Sequence, residues 1–241
     1  MITLYSLLFE EAEQWNPNNL ALAVIRNVKF VLYDTAKLRA TDEMHNQPNI
    51  KDLVAAYILV TPPRSGNCSG AASVALAARN PAYPGAGIML YKLVSSALNK
   101  PITSDRENST SDDAKAMWKK IEDVGKSGFT RLPLDNYYQG MGADNIYFTV
   151  NPDGTVKDGA GPLTPDTSDD CEAPGIDPRD VGQNLGEPDA FQAAGGIAQP
   201  FIQRHQEQLA FVEERFGWNT KKFESELEAA GGVLFSTQYR H

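Results

Sequence analysis

Residues 73–118 have the sequence SVALAARNPAYPGAGIMLYKLVSSALNKPITSDRENSTSDDAKAMW. Small apolar residues over 72–78 predict a strand, and a turn rich in Gly and Pro follows it. Helical spacing over 88–98, a short strand over 101–104 and the N-cap residue Ser111 of a second helix come next. This order of strand, glycine turn, helix, strand and helix is typical of the ligand-binding centre of an α/β protein.

Composition and charge exclude several classes of protein. The 241 residues suffice for one core, or one core and an appendage, and 41% of them are apolar, as in ordinary globular domains. A net charge of -9 opposes the neutralisation of phosphates, so nucleic acid is not expected as a partner. No apolar run approaches the roughly 20 residues of a membrane span, and neither a signal peptide nor a CxxC pair is present. We therefore expect a soluble protein in a reducing compartment, with no membrane association.

The sequence upstream of this segment is less decisive. Residues 55–60 predict a strand that forms an antiparallel hairpin with the strand opening the segment. Residues 20–33 are apolar but broken by Arg26-Asn27, and a short helix followed by a strand over 29–33 is one interpretation that the pattern leaves open. Residues 40–50 are polar and predict a loop.

The downstream third changes character. The turn at 151–154 predicts a hairpin. Residues 157–200 are dense in Gly, Pro and Asp without periodicity, which predicts either a long surface excursion or partial disorder. Residues 201–216 and 220–230 predict two helices, the second ended by Gly231-Gly232. The pattern thus predicts three parts: a core over 1–156, the excursion over 157–200 and a helical C-terminal extension over 201–241 that packs on the core.

The turn Gly85-Ala86-Gly87 is the main candidate for ligand binding. Glycine lets the backbone approach a ligand closely, and the N–H groups at a helix N-terminus favour an anion such as pyrophosphate. Backbone geometry alone also explains an isolated pair of glycines. No Gly-Lys-Ser/Thr follows and a third glycine is absent, so the turn is neither a Walker loop nor a dinucleotide fingerprint.

The order of hairpin, glycine turn, helix, short strand and second helix resembles that of the GNAT acyltransferase superfamily. Three motifs in the same order are similar to a narrower set, the GNAT-like proteins carried by tailed bacteriophages. They are YPGAGIMLY at 83–91, TSDR at 103–106 and TSDDAKAMW at 110–118, and the resemblance covers residues 55–129. Asp169-Asp170-Cys171 also resembles a downstream element of those proteins.

The resemblance implies a fold, a cofactor and a set of site residues. The fold is a mixed, mostly antiparallel twisted sheet flanked by helices, here with a helical C-terminal extension. The cofactor is acetyl-coenzyme A, whose pyrophosphate the turn would wrap and whose thioester carbonyl backbone N–H groups of a splayed strand would polarise. The residues implied for cofactor binding are Ala75, Leu76, Ala77, Gly85, Ala86, Gly87 and Ile88.

The sequence departs from the superfamily pattern in three places. Ala82 stands where a Gln or Arg usually precedes the turn, and Pro84 removes one backbone N–H from it. Trp118 stands where many members have a tyrosine that protonates the departing thiolate, and an indole N–H cannot do this. The resemblance therefore supports binding of coenzyme A more directly than turnover.

Asp105 and Arg106 are the candidate catalytic residues. At the end of a strand facing the site, Asp105 would serve as base for the incoming amine and Arg106 as an anion clamp. The alternative is a structural role, in which both side chains fix the loop before Ser111.

Other reactive residues carry weaker signals. Cys68 would need a positioned histidine to act as a nucleophile, and the three histidines follow no recognisable pattern. The acidic residues Asp166, Asp169 and Asp170 lack the spacing of a calcium loop, so a solvated loop and no metal are expected. Tyr91 on the predicted helix is expected in the core.

We therefore predict an N-acyltransferase that uses acetyl-coenzyme A on an unidentified amine acceptor, of a protein or a small molecule. The alternative prediction is a non-catalytic protein of the same fold that is virion-associated or binds phage structural proteins. The implied location is the host cytoplasm or the virion.

Overall fold

The structure is a computed structural model that describes residues 15–43, 49–61, 70–104, 111–139, 147–149, 170–172 and 189–238. The strands are β1 (Leu20–Ile25), β2 (Lys29–Asp34), β3 (Val54–Thr61), β4 (Ala72–Arg79), β5 (Ile102–Ser104), β6 (Phe129–Pro133), β7 (Asp135–Gln139), β8 (Tyr147–Thr149), β9 (Asp170–Glu172) and β10 (Asp189–Ala193). The helices are α1 (Thr35–Glu43), α2 (Ile50–Leu53), α3 (Ala86–Leu98), α4 (Asp112–Glu122), α5 (Val124–Ser127), α6 (Gln199–Phe216) and α7 (Thr220–Gln238), and a 3-10 turn spans Pro17–Asn19.

Seven strands form one mixed sheet in the order β1-β2-β3-β4-β5-β10-β6. The pairs β1–β2, β2–β3, β5–β10 and β10–β6 are antiparallel, whereas β4 and β5 are parallel. A parallel pair needs a crossover, and α3 lies in the connection between these two strands. The predicted mixed, mostly antiparallel sheet flanked by helices, with helices at the C-terminal end, is confirmed.

The central segment follows its sequence pattern closely. Strands β3, β4 and β5 and helix α3 occupy the predicted positions within two residues. Ser111 caps α4 through its Oγ, which accepts from the Ala114 N–H at 3.3 Å, and Asp112 and Asp113 lie in the first helical turn. The prediction of strand, turn, helix, strand and helix is confirmed.

The chain forms two compact units. The first comprises Met1–Leu59, Leu76–Ala97 and Gly195–His241, and the second comprises Val60–Ala75 and Leu98–Ala194.

In the first unit, α6 and α7 pack on the strands β1 and β2. Both helices contribute buried apolar side chains to a core shared with these strands. The residues of this core include Ala21, Ala23, Val31, Tyr33, Val212, Trp218, Phe223, Leu227 and Ala230.

Residues 20–33 form a hairpin rather than a short helix and a strand. Arg26 and Asn27 both have φ of 55°, the left-handed conformation of a type I′ hairpin turn. Nearly every residue of β1 is buried, so its apolar run shows no alternation. Sequence periodicity alone therefore cannot distinguish this strand from a buried helix.

Two further predictions in the first unit are wrong. Residues 40–50 are not all loop, because α1 runs to Glu43 and α2 begins at Ile50. Helix α7 does not end at Gly231-Gly232 but continues to Gln238. A Cβ at Gly231 would lie 2.5 Å from Cδ2 of Tyr57, so this glycine permits close packing of helix against strand instead of ending the helix.

The second unit contains an element that the sequence did not indicate. Strand β10 lies within the segment 157–200, whose sequence has no periodicity, and pairs with β5 on one side and β6 on the other. Phe191 of β10 is fully buried and stacks on Trp118 of α4. A separate sheet has the order β8-β7-β9, with β9 covering part of the predicted acidic element. The turn predicted at 151–154 lies outside the described residues.

Candidate functional site

The glycine turn consists of two consecutive β-turns between β4 and α3. The Tyr83 N–H donates to the Asn80 carbonyl at 2.9 Å, and the Ala86 N–H donates to the Tyr83 carbonyl at 3.1 Å. Pro84 and Gly85 are the central residues of the second turn, and Gly85 has φ of 84°. Proline followed by a residue of positive φ is the arrangement of a type II turn, which favours glycine at the second central position.

The first turn of α3 offers backbone donors. The Ala86 N–H is used within the type II turn, and the Met89 N–H donates to the Gly85 carbonyl at 3.1 Å. Neither bond involves the N–H of Gly87 or Ile88, which are the first-turn donors that an anionic ligand would take. Gly87 itself is buried and Ile88 is half-buried.

Side chains on both sides hold the turn in place. The Asn80 N–H and Nδ2 donate to the carbonyls of Ala55 and Val54 at 2.8 and 3.1 Å, while its Oδ1 accepts from Ala82 at 3.0 Å. These bonds place the end of β4 beside the beginning of β3, as in an antiparallel pair. Ala82 is exposed. Because it is an alanine, it offers no polar side chain where the resemblance leads us to expect a Gln or Arg.

Tyr83 anchors the middle of the turn to α1. Its side chain is 1% exposed, and its hydroxyl donates to Asp34 Oδ2 at 3.2 Å. Asp34 Oδ1 accepts from the N–H groups of Ala36 and Lys37, which caps the start of α1. Burial, and next the Asp34 carboxylate, raises the pKa of Tyr83, so the phenol remains a donor at neutral pH.

Two more side chains lie against the turn. The Trp15 indole Nε1 donates to the Pro84 carbonyl at 3.2 Å, and its ring centroid lies 6.0 Å from that of Tyr83. Lys37 Nζ lies 4.6 Å from the Tyr83 ring centroid. Neither residue stood out in the sequence, because the turn is distant from both along the chain.

The three predicted residues of β4 lie where this strand extends past its pairing with β5. The pairs with β5 are Ala72–Ile102, Ser73–Thr103 and Val74–Ser104. From Ala75 onward the described part of β5 supplies no partner. Ala75, Leu76 and Ala77 are half-buried, whereas the preceding residues of the strand are buried.

Trp118 belongs to the core of the second unit. It is 3% exposed, and its ring stacks on Phe191 with centroids 6.0 Å apart and planes 27° apart. Tyr91 is likewise buried at 3% exposure, which confirms its expected place in the core. A buried, stacked indole supplies no general acid at the helical position where the resemblance implies one.

The candidate catalytic residues Asp105 and Arg106 lie outside the described residues, as do Cys68, Asp166 and Asp169. Within the described ranges, no group of three or more His, Cys, Asp and Glu side chains is arranged to hold a metal ion. None of the described helices is both long enough and apolar enough to span a membrane.

The first unit contains a buried polar pair that no pattern in the sequence indicates. His205 on α6 is 2% exposed, and its Nδ1 lies 2.9 Å from the hydroxyl of Tyr33 on β2. Burial lowers the pKa of His205 to about 4, so the imidazole is neutral at pH 7. Its Nε2 lies 3.6 Å from Glu224 Oε1 on α7, beyond a direct hydrogen bond. Only the packing of three distant elements identifies this pair.

Comparison with models of protein families, with curated proteins and with solved structures found no match to the chain.

Proposed function

We propose that the chain is a GNAT-like N-acyltransferase that uses acetyl-coenzyme A to acylate an amine of a protein or small molecule. One observation carries the proposal: β4 leads through a type II turn at Gly85 into the first turn of α3. Strand, turn and helix follow in the order expected for this superfamily. The parallel pairing of β4 with the short strand β5, and the following helix α4, add support.

Each group of the site has a defined role under this proposal. The N–H groups of Gly87 and Ile88 bind the pyrophosphate, where the positive end of α3 favours negative charge. Backbone N–H groups of β4 beyond Val74 polarise the thioester carbonyl. Acetyl-coenzyme A supplies the activated acyl group. Asp105 accepts the proton that the amine loses as the new amide bond forms and the thiolate departs.

The alternative proposal is a non-catalytic protein of the same fold that binds phage structural proteins. The buried Trp118 and the exposed Ala82 favour it, because both positions lack the polar group that turnover would use. Co-purification with assembled phage particles, without thiol release, is the result this alternative predicts.

Calorimetric titration with acetyl-coenzyme A tests the proposal most directly. Ile88→Glu places a carboxylate in the first turn of α3, where it stabilises the helix but repels phosphate. Ile88→Gln is the matched control, since it has the same length without the charge. We expect Ile88→Glu to bind at least tenfold more weakly than Ile88→Gln.

Two results would contradict the proposal. The first is the absence of binding by the unsubstituted protein at high micromolar acetyl-coenzyme A. The second is equal binding by the two Ile88 variants, which would remove the anion from this helix end. Binding without thiol release across a panel of amines would favour the non-catalytic alternative.

A further inference from the structure

We propose that the first unit holds an internal water molecule between α6 and α7, bound by His205, Gln208 and Glu224. All three residues belong to this unit, so the site is separate from the glycine turn and from the proposed acyltransferase activity. Two of the three side chains lie almost wholly inside the protein, since His205 is 2% and Gln208 1% exposed.

Two buried polar atoms on one face of α6 have no hydrogen-bond partner among the described residues. They are Nε2 of His205 and Oε1 of Gln208. Residues at positions i and i+3 of a helix are neighbours on its surface, so both atoms belong to the inward face of α6. The Gln208 Nε2 donates to the Arg204 carbonyl at 3.4 Å, which leaves Oε1 as the unpaired end of the amide. A buried polar group without a partner costs stability, and internal water satisfies such groups in many proteins.

Glu224 of α7 completes the set of groups around His205. Its Oε1 lies 3.6 Å from His205 Nε2, and a facing carboxylate favours the tautomer with the proton on Nε2. Nδ1 is then the acceptor for the Tyr33 hydroxyl, 2.9 Å away. The distance of 3.6 Å is too long for a direct hydrogen bond, and a water molecule is the usual bridge across such a polar gap.

The three groups match the hydrogen-bonding capacity of water. The Nε2–H of His205 needs an acceptor, whereas Gln208 Oε1 and the Glu224 carboxylate need donors. A water molecule supplies one acceptor and two donors at once, and about three hydrogen bonds are typical of an internal water. An ammonium ion has no acceptor for the Nε2 proton, and a metal ion would need the lone pair that this proton occupies.

The side chains of β1, on which α6 packs, supply no alternative partner. Ala21 pairs with Tyr33 across the hairpin, and Ala23 follows on the same face of the strand. Both are fully buried and end in a methyl group, so neither side chain donates or accepts a hydrogen bond. Their small size also leaves more room beside the polar side chains of α6 than larger apolar residues would.

NMR of the protein with 15N-labelled histidine tests the site directly. We expect His205 to carry its proton on Nε2 and this proton to give a dipolar cross-peak to water, which a rotating-frame experiment distinguishes by sign from proton exchange. Gln208→Met should weaken the cross-peak, because the water loses an acceptor. Gln206→Met, at an exposed position of the same helix, is the matched control and should leave it unchanged. A proton on Nδ1, no cross-peak to water, or a cross-peak unchanged in Gln208→Met would overturn the proposal.

Thermal unfolding gives a second readout that does not depend on the NMR signal. If the water is bound, Gln208→Met removes one of its hydrogen bonds, and the thermal midpoint should fall about 2 to 4 °C below that of Gln206→Met. Without the water, the same substitution removes an unpaired buried acceptor, which is neutral or stabilising. A midpoint equal to or above that of Gln206→Met therefore contradicts the proposal. Neither measurement uses acetyl-coenzyme A, so failure of the proposed function leaves both valid.

Discussion

Two buried tyrosines of the first unit each donate a hydrogen bond to a titratable partner, but the two partners are satisfied to different degrees. Tyr83, under the glycine turn, donates to Asp34, whose other oxygen accepts two backbone N–H groups. Tyr33, under the C-terminal helices, meets His205, whose Nε2 is buried without a hydrogen-bond partner among the described residues. The first pair lies against the candidate site, whereas the second leaves a buried ring nitrogen unpaired among the described residues, at a cost in stability. Buried polar pairs in one unit can therefore differ in how completely their hydrogen bonds are satisfied.

The proton distribution in the Tyr33–His205 pair follows from its surroundings. Burial raises the pKa of Tyr33 well above its usual value, so its hydroxyl stays protonated. The Glu224 carboxylate favours a proton on the facing Nε2 of His205. His205 Nδ1 is then the acceptor for the Tyr33 hydroxyl, an assignment made from the hydrogen-bond network.

The largest expected effect is the dependence of stability on pH at His205. Its pKa is lowered from 6.5 to about 4 in the folded protein, so the unfolded chain binds more protons between these values. The free energy of unfolding should therefore fall by up to about 3 kcal/mol as the pH decreases from 6.5 to 4. Urea unfolding at pH 7 and pH 5, compared with His205→Gln, measures this contribution. If the free energy of unfolding changed equally with pH in the two proteins, the contribution of His205 would be contradicted.

Removing the hydroxyl of Tyr33 should be the next largest effect. Tyr33→Phe leaves His205 Nδ1 buried with no donor, which costs about 1 to 3 kcal/mol. Because this pair lies under α6 and α7, we expect unchanged affinity for acetyl-coenzyme A. Urea unfolding measures the free energy of unfolding, and calorimetry on the same preparation measures the affinity for acetyl-coenzyme A. A large loss of affinity would contradict a purely structural role for this pair.

Tyr83→Phe should have the opposite pair of effects, a small loss of stability and a clear loss of affinity for acetyl-coenzyme A. Asp34 keeps its two backbone donors and is 8% exposed, so the loss of stability should be only about 1 kcal/mol. The turn loses its link to α1, and we expect acetyl-coenzyme A to bind several-fold more weakly. Should Tyr83→Phe leave affinity unchanged, the Tyr83–Asp34 pair would be structural in the same sense as the Tyr33–His205 pair.

Two glycine substitutions, for which we expect the smallest effects, separate the cost of backbone strain from an effect on binding. Gly85→Ala and Gly196→Ala both place an alanine at positive φ, 84° and 79° respectively, and each should cost about 1 kcal/mol. A Cβ at Gly196 meets nothing within 4 Å, so its cost is strain alone. Only Gly85→Ala should weaken binding of acetyl-coenzyme A, as measured by calorimetry. Equal binding by both variants would show that the turn has no part in it.

Local sequence signals predicted the secondary structure around the candidate site well. The alternation of apolar runs with Gly, Pro and Asn around residues 73–118 reflects interactions within a few residues, such as the Ser111 cap. The side chains that support the turn were not predictable in this way. Asp34 and Trp15 contact it from distant parts of the chain, and no local pattern marks residues as partners across such distances.

By itself, the sequence determined the strand–turn–helix–strand–helix segment, because capping, turn geometry and apolar periodicity act over short distances. Only the tertiary structure decided that β10 enters the sheet, that Gly231 lies inside a helix, and that His205 is buried against Tyr33. Each of these depends on a partner far away in sequence: β6 for β10, Tyr57 for Gly231 and β2 for His205. A glycine at a helix end and a glycine under a packed aromatic ring look the same in the sequence, and only the neighbouring ring distinguishes them.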